Sequence, residues 1–173
     1  MNKGKNQGKI FEQDFRKSIP VDVYFLRLTD SAIGFDIKNS TQRFSVKSPY
    51  DCLMYKKPHL YCLELKSTKQ DYIPFTGSAQ MIKEHQVENL KKAAAHNCIA
   101  GFVLNFRTAE KTFFLPIKDY EMLTEKLQRT KKSLNIEDLE LTKNCLLIPQ
   151  LKLRTRYRYD VENLIRRTGG LKK

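Results

Sequence analysis

SPYDCLMYKKPHLYCLELKST, residues 48–68, holds two short apolar runs, 50–56 and 59–66, separated by Lys57-Pro58. Aromatic and aliphatic residues on both sides of a proline turn read as a β-hairpin. Both runs are apolar on both faces, the pattern of strands in the buried middle of a sheet. A hairpin turning at Lys57-Pro58 pairs 56 with 59 and 55 with 60, and the constant sum of 115 brings Asp51 opposite Glu64. Directly opposed residues have Cβ atoms only about 4.5–5.5 Å apart, where like charges repel. A divalent cation relieves that repulsion, and Mg²⁺ takes one or two carboxylates together with waters and phosphate oxygens. Lys66 lies two residues beyond Glu64 and so projects to the same face of the strand. Its ammonium is suited to orienting an attacking water and to stabilising charge on a pentacovalent phosphate. The spacing also suits Asp51 as a strand cap with Glu64 and Lys66 as a surface pair; the apolar setting and Pro49 favour a site.

The remainder of the chain narrows the class of partner. With 32 Lys and Arg against 19 Asp and Glu, the net charge is +13, which calls for an acidic partner, most commonly a nucleic-acid backbone. At 173 residues one domain spanning 1–173 is expected. Its four cysteines, at 52, 62, 98 and 145, lack a C-x-x-C spacing and two lie in the apolar hairpin, so buried thiols are expected rather than zinc ligands or disulfides. The basic, polar start MNKGKNQGKI lacks a signal-peptide core, and no run approaches the ~18 apolar residues of a membrane span. A cytoplasmic protein that does not enter membranes is the expectation.

Outward from the hairpin, residues 8–18 have helical spacing through Ile10, Phe11 and Phe15, with Glu12 beside the stripe and Pro20 as the stop. Residues 21–28 read as a strand. Residues 29–48 have no sustained period but carry Lys38, Arg43 and Lys47 with Phe35 and Phe44; a structureless insertion of that length is usually functional or disordered. A helix is expected at about 79–96, its stripe Ile82, Gln86, Leu90 and Ala93 placing a glutamine among apolar neighbours. Gln86 there serves either a catalytic water or phosphate, or a buried structural hydrogen bond. Strands at 98–106 and 111–116 and a helix at 118–130 follow. In QLKLRTRYRYD, residues 150–160, a single strand puts Lys152, Arg154, Arg156 and Arg158 on one face and Leu151, Leu153, Tyr157 and Tyr159 on the other. This basic ribbon is expected to track phosphates at the ~3.3 Å rise of a strand. Asp160 is placed to cap a last short helix ahead of Gly169-Gly170 and a basic tail.

The hairpin resembles the PD-(D/E)xK core of restriction-enzyme-like nucleases, with Pro49-Tyr50-Asp51 as the first acidic element and Glu64-Leu65-Lys66 as the second. Together with NQGKIFEQDF at the start, RLTDSAIGFDIKNSTQRFSVKS before the hairpin and EHQVENLKKA after it, the chain is similar over roughly residues 6–118 to RecU-type Holliday junction resolvases. The resemblance implies an α/β fold with a central mixed β-sheet flanked by helices, and a protruding stalk at 29–48. It implies Asp51 and Glu64 as Mg²⁺ ligands, Mn²⁺ substituting, with Glu12 as a further ligand and Lys66 and Gln86 as catalytic partners. It implies a homodimer cutting branched, four-way DNA in a bacterial cell or a phage-infected host. Other PD-(D/E)xK nucleases acting on forks, flaps or duplex ends, and a DNA- or RNA-binding module without catalysis, remain alternatives. The last third resembles the family less.

Overall fold

The computed structural model describes residues 6–29 and 47–169. The first helix, α1 (Gln7–Lys17), begins where Asn6 accepts a hydrogen bond from the Lys9 backbone N–H. It buries Phe11, Asp14 and Phe15. Strand β1 (Tyr24–Arg27) is shorter than the expected 21–28. The hairpin forms as β2 (Cys52–Lys56) and β3 (His59–Thr68), joined through a cis Lys57-Pro58 peptide. Its register runs from Lys56↔His59 to Cys52↔Leu63, the constant sum of 115.

After a short strand β4 (Tyr72–Pro74), helix α2 (Glu84–Ala95) carries the chain back so that β5 (Ile99–Phe106) pairs parallel to β3. The helix starts later than the expected 79, although Ile82 is buried ahead of it. Strand β6 (Lys111–Pro116) returns antiparallel to β5, and Gly101 marks their close approach: a Cβ there would stand 2.4 Å from the Leu115 carbonyl oxygen. Then come α3 (Ile117–Leu127), β7 (Ser133–Asn135), α4 (Ile136–Glu140) and β8 (Leu146–Leu147). The six-stranded sheet has the order β1-β2-β3-β5-β6-β8, mixed in direction, with β3 and β5 at its centre. This is the α/β architecture expected from the sequence.

Each sheet face has its own core. Phe11 and Phe15 of α1 join Met54, Tyr61, Leu63, Val103 and Phe114 on one face. Leu90 of α2 and Tyr120 of α3 join Cys62, Phe102, Leu104 and Phe106 on the other. Side chains alternate along a strand, so Leu63, Leu65 and Ser67 belong to the α1 face while Cys62, Glu64 and Lys66 belong to the α2 face. All four cysteines are free, with Cys52 and Cys62 buried.

The basic ribbon differs from expectation. Instead of one strand, residues 150–159 form a second hairpin, β9 (Gln150–Lys152) and β10 (Tyr157–Tyr159), paired Tyr157↔Lys152 and Tyr159↔Gln150. The Leu153 N–H donating to the Arg156 carbonyl at 2.8 Å closes the turn. The physical reason lies in α1: buried Asp14 accepts from Arg156 Nε at 2.6 Å and from the Tyr157 N–H at 3.2 Å. Ser18 Oγ donates to the Asp14 carbonyl and accepts from the Tyr159 N–H, and Arg158 donates to the Lys17 carbonyl. The hairpin therefore clamps α1 to the sheet. The last helix, α5 (Val161–Gly169), starts where Asp160 accepts from the Asn163 N–H at 2.9 Å, the cap expected from the sequence.

Removing one partner of a buried ion pair strands the other's charge. Arg156→Ala is expected to lower unfolding free energy by about 2–3 kcal/mol in urea titration. Lys152→Ala, which breaks an exposed pair with Glu110, should leave the midpoint where it is. An unchanged midpoint in Arg156→Ala would show that the clamp contributes nothing.

Candidate active site

The site lies at the carboxyl end of β3, beside the first residue of the hairpin. Asp51 stands one residue before β2, where the ladder ends; its N–H donates to the Leu63 carbonyl at 3.1 Å, and its Oδ2 accepts from the Leu65 N–H at 2.7 Å. Glu64 is 2% exposed, and its carboxyl group interacts electrostatically with that of Asp51. Lys66 Nζ stands 2.8 Å from Glu64 Oε1, and Gln86 Nε2 donates to that same oxygen at 2.5 Å. The hairpin count, the strand alternation and the helix stripe thus converge on one cluster: Asp51, Glu64, Lys66 and Gln86.

Gln86 makes the structural hydrogen bonds that a polar residue on an apolar stripe calls for. Its Oε1 accepts from the Lys83 N–H at 3.0 Å, closing the first turn of α2, while its amide N–H₂ holds Glu64. The helix start and the carboxylate are fixed by one side chain.

Burial raises the pKa of both carboxyl groups. For Glu64 it does so first, the neighbouring Asp51 charge adds to it, and Lys66 offsets part, leaving the group at about 7. Asp51 is also pushed up by burial, against the Leu65 N–H, Lys66 and Arg27. A buried oxygen-donor group whose ionisation is opposed by a half-buried acid beside it forms, with that acid, a fitting pair for a hard cation. The Cys52 thiol is driven up by burial and then by Asp51, Glu64 and Glu12, so all three acids act on one sulfur.

Glu12 approaches from the other side. It lines a 220 Å³ cavity on the α1 face with Lys9, Arg16, Arg27, Asp51 and Leu65, and its Oε2 is held by Arg27 Nη2 at 2.6 Å. Glu64 points to the α2 face, with Asp51 at the strand end between them. Among the described residues no group of three His, Cys, Asp or Glu gathers as a metal centre. Arg27 did not stand out in the sequence; its signal was the register, since Arg27 pairs with Cys52, next to Asp51.

Of the basic residues expected at phosphates, Lys152 is paired with Glu110, Arg156 with Asp14, and Arg158 with a carbonyl. Arg154 is exposed at the turn of the second hairpin, and Lys47 is exposed before Pro49. Lys38, Arg43, Phe35, Phe44 and nearly all of the expected stalk lie outside the described residues. Among the described residues, no helix is long and apolar enough to cross a membrane.

A sequence model of the family described as "RecU: Recombination protein U" matches residues 16–160. The SPbeta prophage-derived uncharacterized protein YotM of Bacillus subtilis (strain 168) is 36% identical over 135 residues, covering 74% of this chain and 67% of that protein. The Holliday junction resolvase RecU of Staphylococcus carnosus (strain TM300) is 34% identical over 88 residues, or 50% of this chain and 41% of that protein. The chain thus spans about two thirds of one curated relative and under half of the other. Among solved structures, Hjc, a Holliday junction resolvase of Archaeoglobus fulgidus, aligns with 76% of this chain and 90% of its own at a TM-score of 0.46 and 18% identity.

The raised Glu64 pKa has a consequence for the metal-free protein. Glu64 is neutral in both folded and unfolded chains below pH 4.5, so it costs nothing there; as pH rises from 4.5 to about 7 the unfolded chain ionises more readily and stability falls. Glu64→Gln removes that loss. In EDTA at pH 8 the variant is expected to be more stable than the parent by up to about 3 kcal/mol, and at pH 4 equally stable, as read by thermal melts. A gap that does not change with pH would mean Glu64 is not held in this state.

Proposed function

The chain belongs to the Recombination protein U family, and from that premise we propose that it is a Mg²⁺-dependent endodeoxyribonuclease resolving four-way DNA junctions by paired, symmetric nicks. The observation that carries the proposal is Glu64, buried beside Asp51 and held between Lys66 and Gln86. A buried carboxylate with a lysine and an amide on one oxygen and a second acid beside it exceeds what the core of a binding module requires. Asp51 and Glu64 would hold the metal ion, Mg²⁺ with Mn²⁺ substituting. Such an ion supplies Lewis-acid polarisation of a phosphoryl oxygen and a more acidic bound water.

The protein's own groups do the rest. Lys66, 15% exposed and joined to Glu64, is placed to carry positive charge toward a phosphate whose negative charge grows during attack. Gln86 fixes the Glu64 rotamer through a hydrogen bond and so sets where Asp51 and Glu64 face each other. Arg27, at the mouth of the Asp51 cavity, adds a cation on the α1 face, and Glu12 is a further carboxylate on that side. Arg154 and Lys47 offer exposed charges to flanking phosphates; Lys38 and Arg43 would do so from the stalk-like insertion.

A four-way junction has two-fold symmetry and needs two matched cuts, so a C2 homodimer with one site per protomer suits the reaction. The Staphylococcus carnosus relative is named a Holliday junction resolvase, and the Bacillus subtilis relative is prophage-derived. Both fit a cytoplasmic enzyme encoded by a phage or its host.

Asp51→Asn and Glu64→Gln are each expected to abolish Mg²⁺-dependent nicking of a labelled four-way junction, with binding in Ca²⁺ retained. Gln86→Ala is expected to cut at a rate lowered roughly ten- to hundredfold, the range seen when a group that orients a metal ligand is removed. Full nicking by Asp51→Asn and Glu64→Gln would refute the site. Equal cutting of forks, flaps and junctions would refute the substrate.

A further inference from the structure

On the α1 face, where β3 and β5 run out side by side, the described surface forms a 680 Å³ groove. Lys9, Asn105, Arg107, Gln150 and Arg156 line it, with Tyr157 at one wall. Its floor is a directed chain of hydrogen bonds. Arg107 Nη1 donates to Ser67 Oγ at 3.0 Å, and Ser67 Oγ donates to Asn105 Oδ1 at 2.9 Å. Asn105 Nδ2 donates to Thr112 Oγ1 at 2.9 Å, and Thr112 Oγ1 donates to Gln150 Oε1 at 2.7 Å. Each hydroxyl accepts once and donates once, so the chain has one direction and holds Arg107 by one corner of its guanidinium.

That guanidinium has further N–H donors beyond the one on Ser67, and no carboxylate lies within ion-pair distance of it among the described residues. The acid in the groove wall, Asp14, is already taken by Arg156 at 2.6 Å. Lys9 and Arg107 are therefore two cations without an internal counter-charge in one concavity. A planar fork held from behind, with a lysine nearby, suits phosphate oxygens. The groove also adjoins the α1-face cavity that Asp51 lines. Lys9 and Gln13 line both it and the cavity of Asp51, Arg27 and Glu12, so α1 is their common wall. Ser67, which holds Arg107, is the residue after Lys66.

We propose that this groove seats the phosphate backbone of the nucleic-acid strand flanking the cut, with Arg107 as its main anchor and Lys9 as the second. The assignment deepens the function proposed above and rests on it. Arg107 carries no site signal in the sequence, where it follows an apolar strand; the structure gives it a hydrogen bond from behind and a place in the groove lining.

The test uses the full chain with a labelled four-way junction in Ca²⁺, measuring affinity against salt. Arg107→Gln is expected to weaken binding at least fivefold at moderate salt and to reduce the slope of log K against log salt by about one. Arg107→Lys should restore the slope with part of the affinity. Lys9→Gln, on an exposed part of α1, should also lower the slope by about one and guards against a folding defect at Arg107. Lys126→Gln, on α3 at the other face, is the charge-matched control and should change neither. A second readout places neutral methylphosphonates one at a time in the arm next to the cut. One position should cost the parent affinity yet cost Arg107→Gln nothing further. Loss shared equally by Lys126→Gln, or unchanged slopes in both Arg107→Gln and Lys9→Gln, overturns the groove while the parent still binds and cuts. A parent that neither binds nor cuts junctions overturns the proposed function, and the groove's occupant falls with it.

Discussion

One buried carboxylate sets the terms for the rest of the molecule. Glu64 sits on the central strand of a six-stranded sheet, next to a second acid, and is nearly inaccessible to solvent. A charge taken from water at such a position costs several kcal/mol unless partners replace the lost hydration. Lys66 and Gln86 replace part of it, both acting on Oε1. What they leave uncompensated appears as a carboxyl group that prefers its proton up to about pH 7. The fold thus keeps an acid pair in a state that a cation stabilises, which explains why a domain would bury these groups where an apolar pair would pack more cheaply.

Topology delivers the partners. Because β3 and β5 are parallel, the chain must cross over between them, and the crossover is α2. Its first turn lies at the carboxyl end of β3, the end at which ligands bind in open α/β sheets. Gln86 is in that turn, so the residue that starts the helix is also the one that reaches Glu64. On the opposite face, α1 is set by Asp14, whose two oxygens bind the side chain of Arg156 and the backbone of Tyr157. The helix that carries Glu12 and Lys9 is therefore positioned by the C-terminal hairpin, more than 140 residues away in sequence. The two ends of the described chain meet at the site's margin.

What could be read from the sequence follows from how local each signal is. The register of the first hairpin depends on one turn and a period of two, and Lys57-Pro58 fixed both, so the approach of Asp51 to Glu64 was legible. Gln86 was legible because a polar residue on an apolar helical stripe requires a partner. The basic run at 150–160 was misread because alternation alone cannot reveal a turn lacking Gly or Pro, and Leu153 to Arg156 has neither. Its charges read as a phosphate-tracking ribbon. Instead, Glu110 and Asp14 arrive from distant segments and neutralise Lys152 and Arg156. Buried Asp14 in KIFEQDF gave no sign of its role, since its partner lies on the other side of the fold.

Glu12 shows where resemblance and geometry part. The resemblance implies a third ligand, whereas Glu12 is paired to Arg27 on the α1 face and Glu64 faces α2. Yet the interactions are unequal in strength. The Glu12–Arg27 pair is 26% and 48% exposed at its two side chains, and pairs of that kind are worth on the order of 0–1 kcal/mol. Glu64, itself buried, is pinned by a half-buried lysine and a half-buried amide. The side chain that departs from the implied arrangement is thus the one held most weakly, and the residue between the two faces, Asp51, is reached from both. An anion bound beside Arg27 would compete directly with Glu12 for the same guanidinium. Glu12 is thus held by a half-exposed pair alone, while Asp51, Glu64 and Lys66 are fixed by the sheet and Gln86 by the first turn of α2.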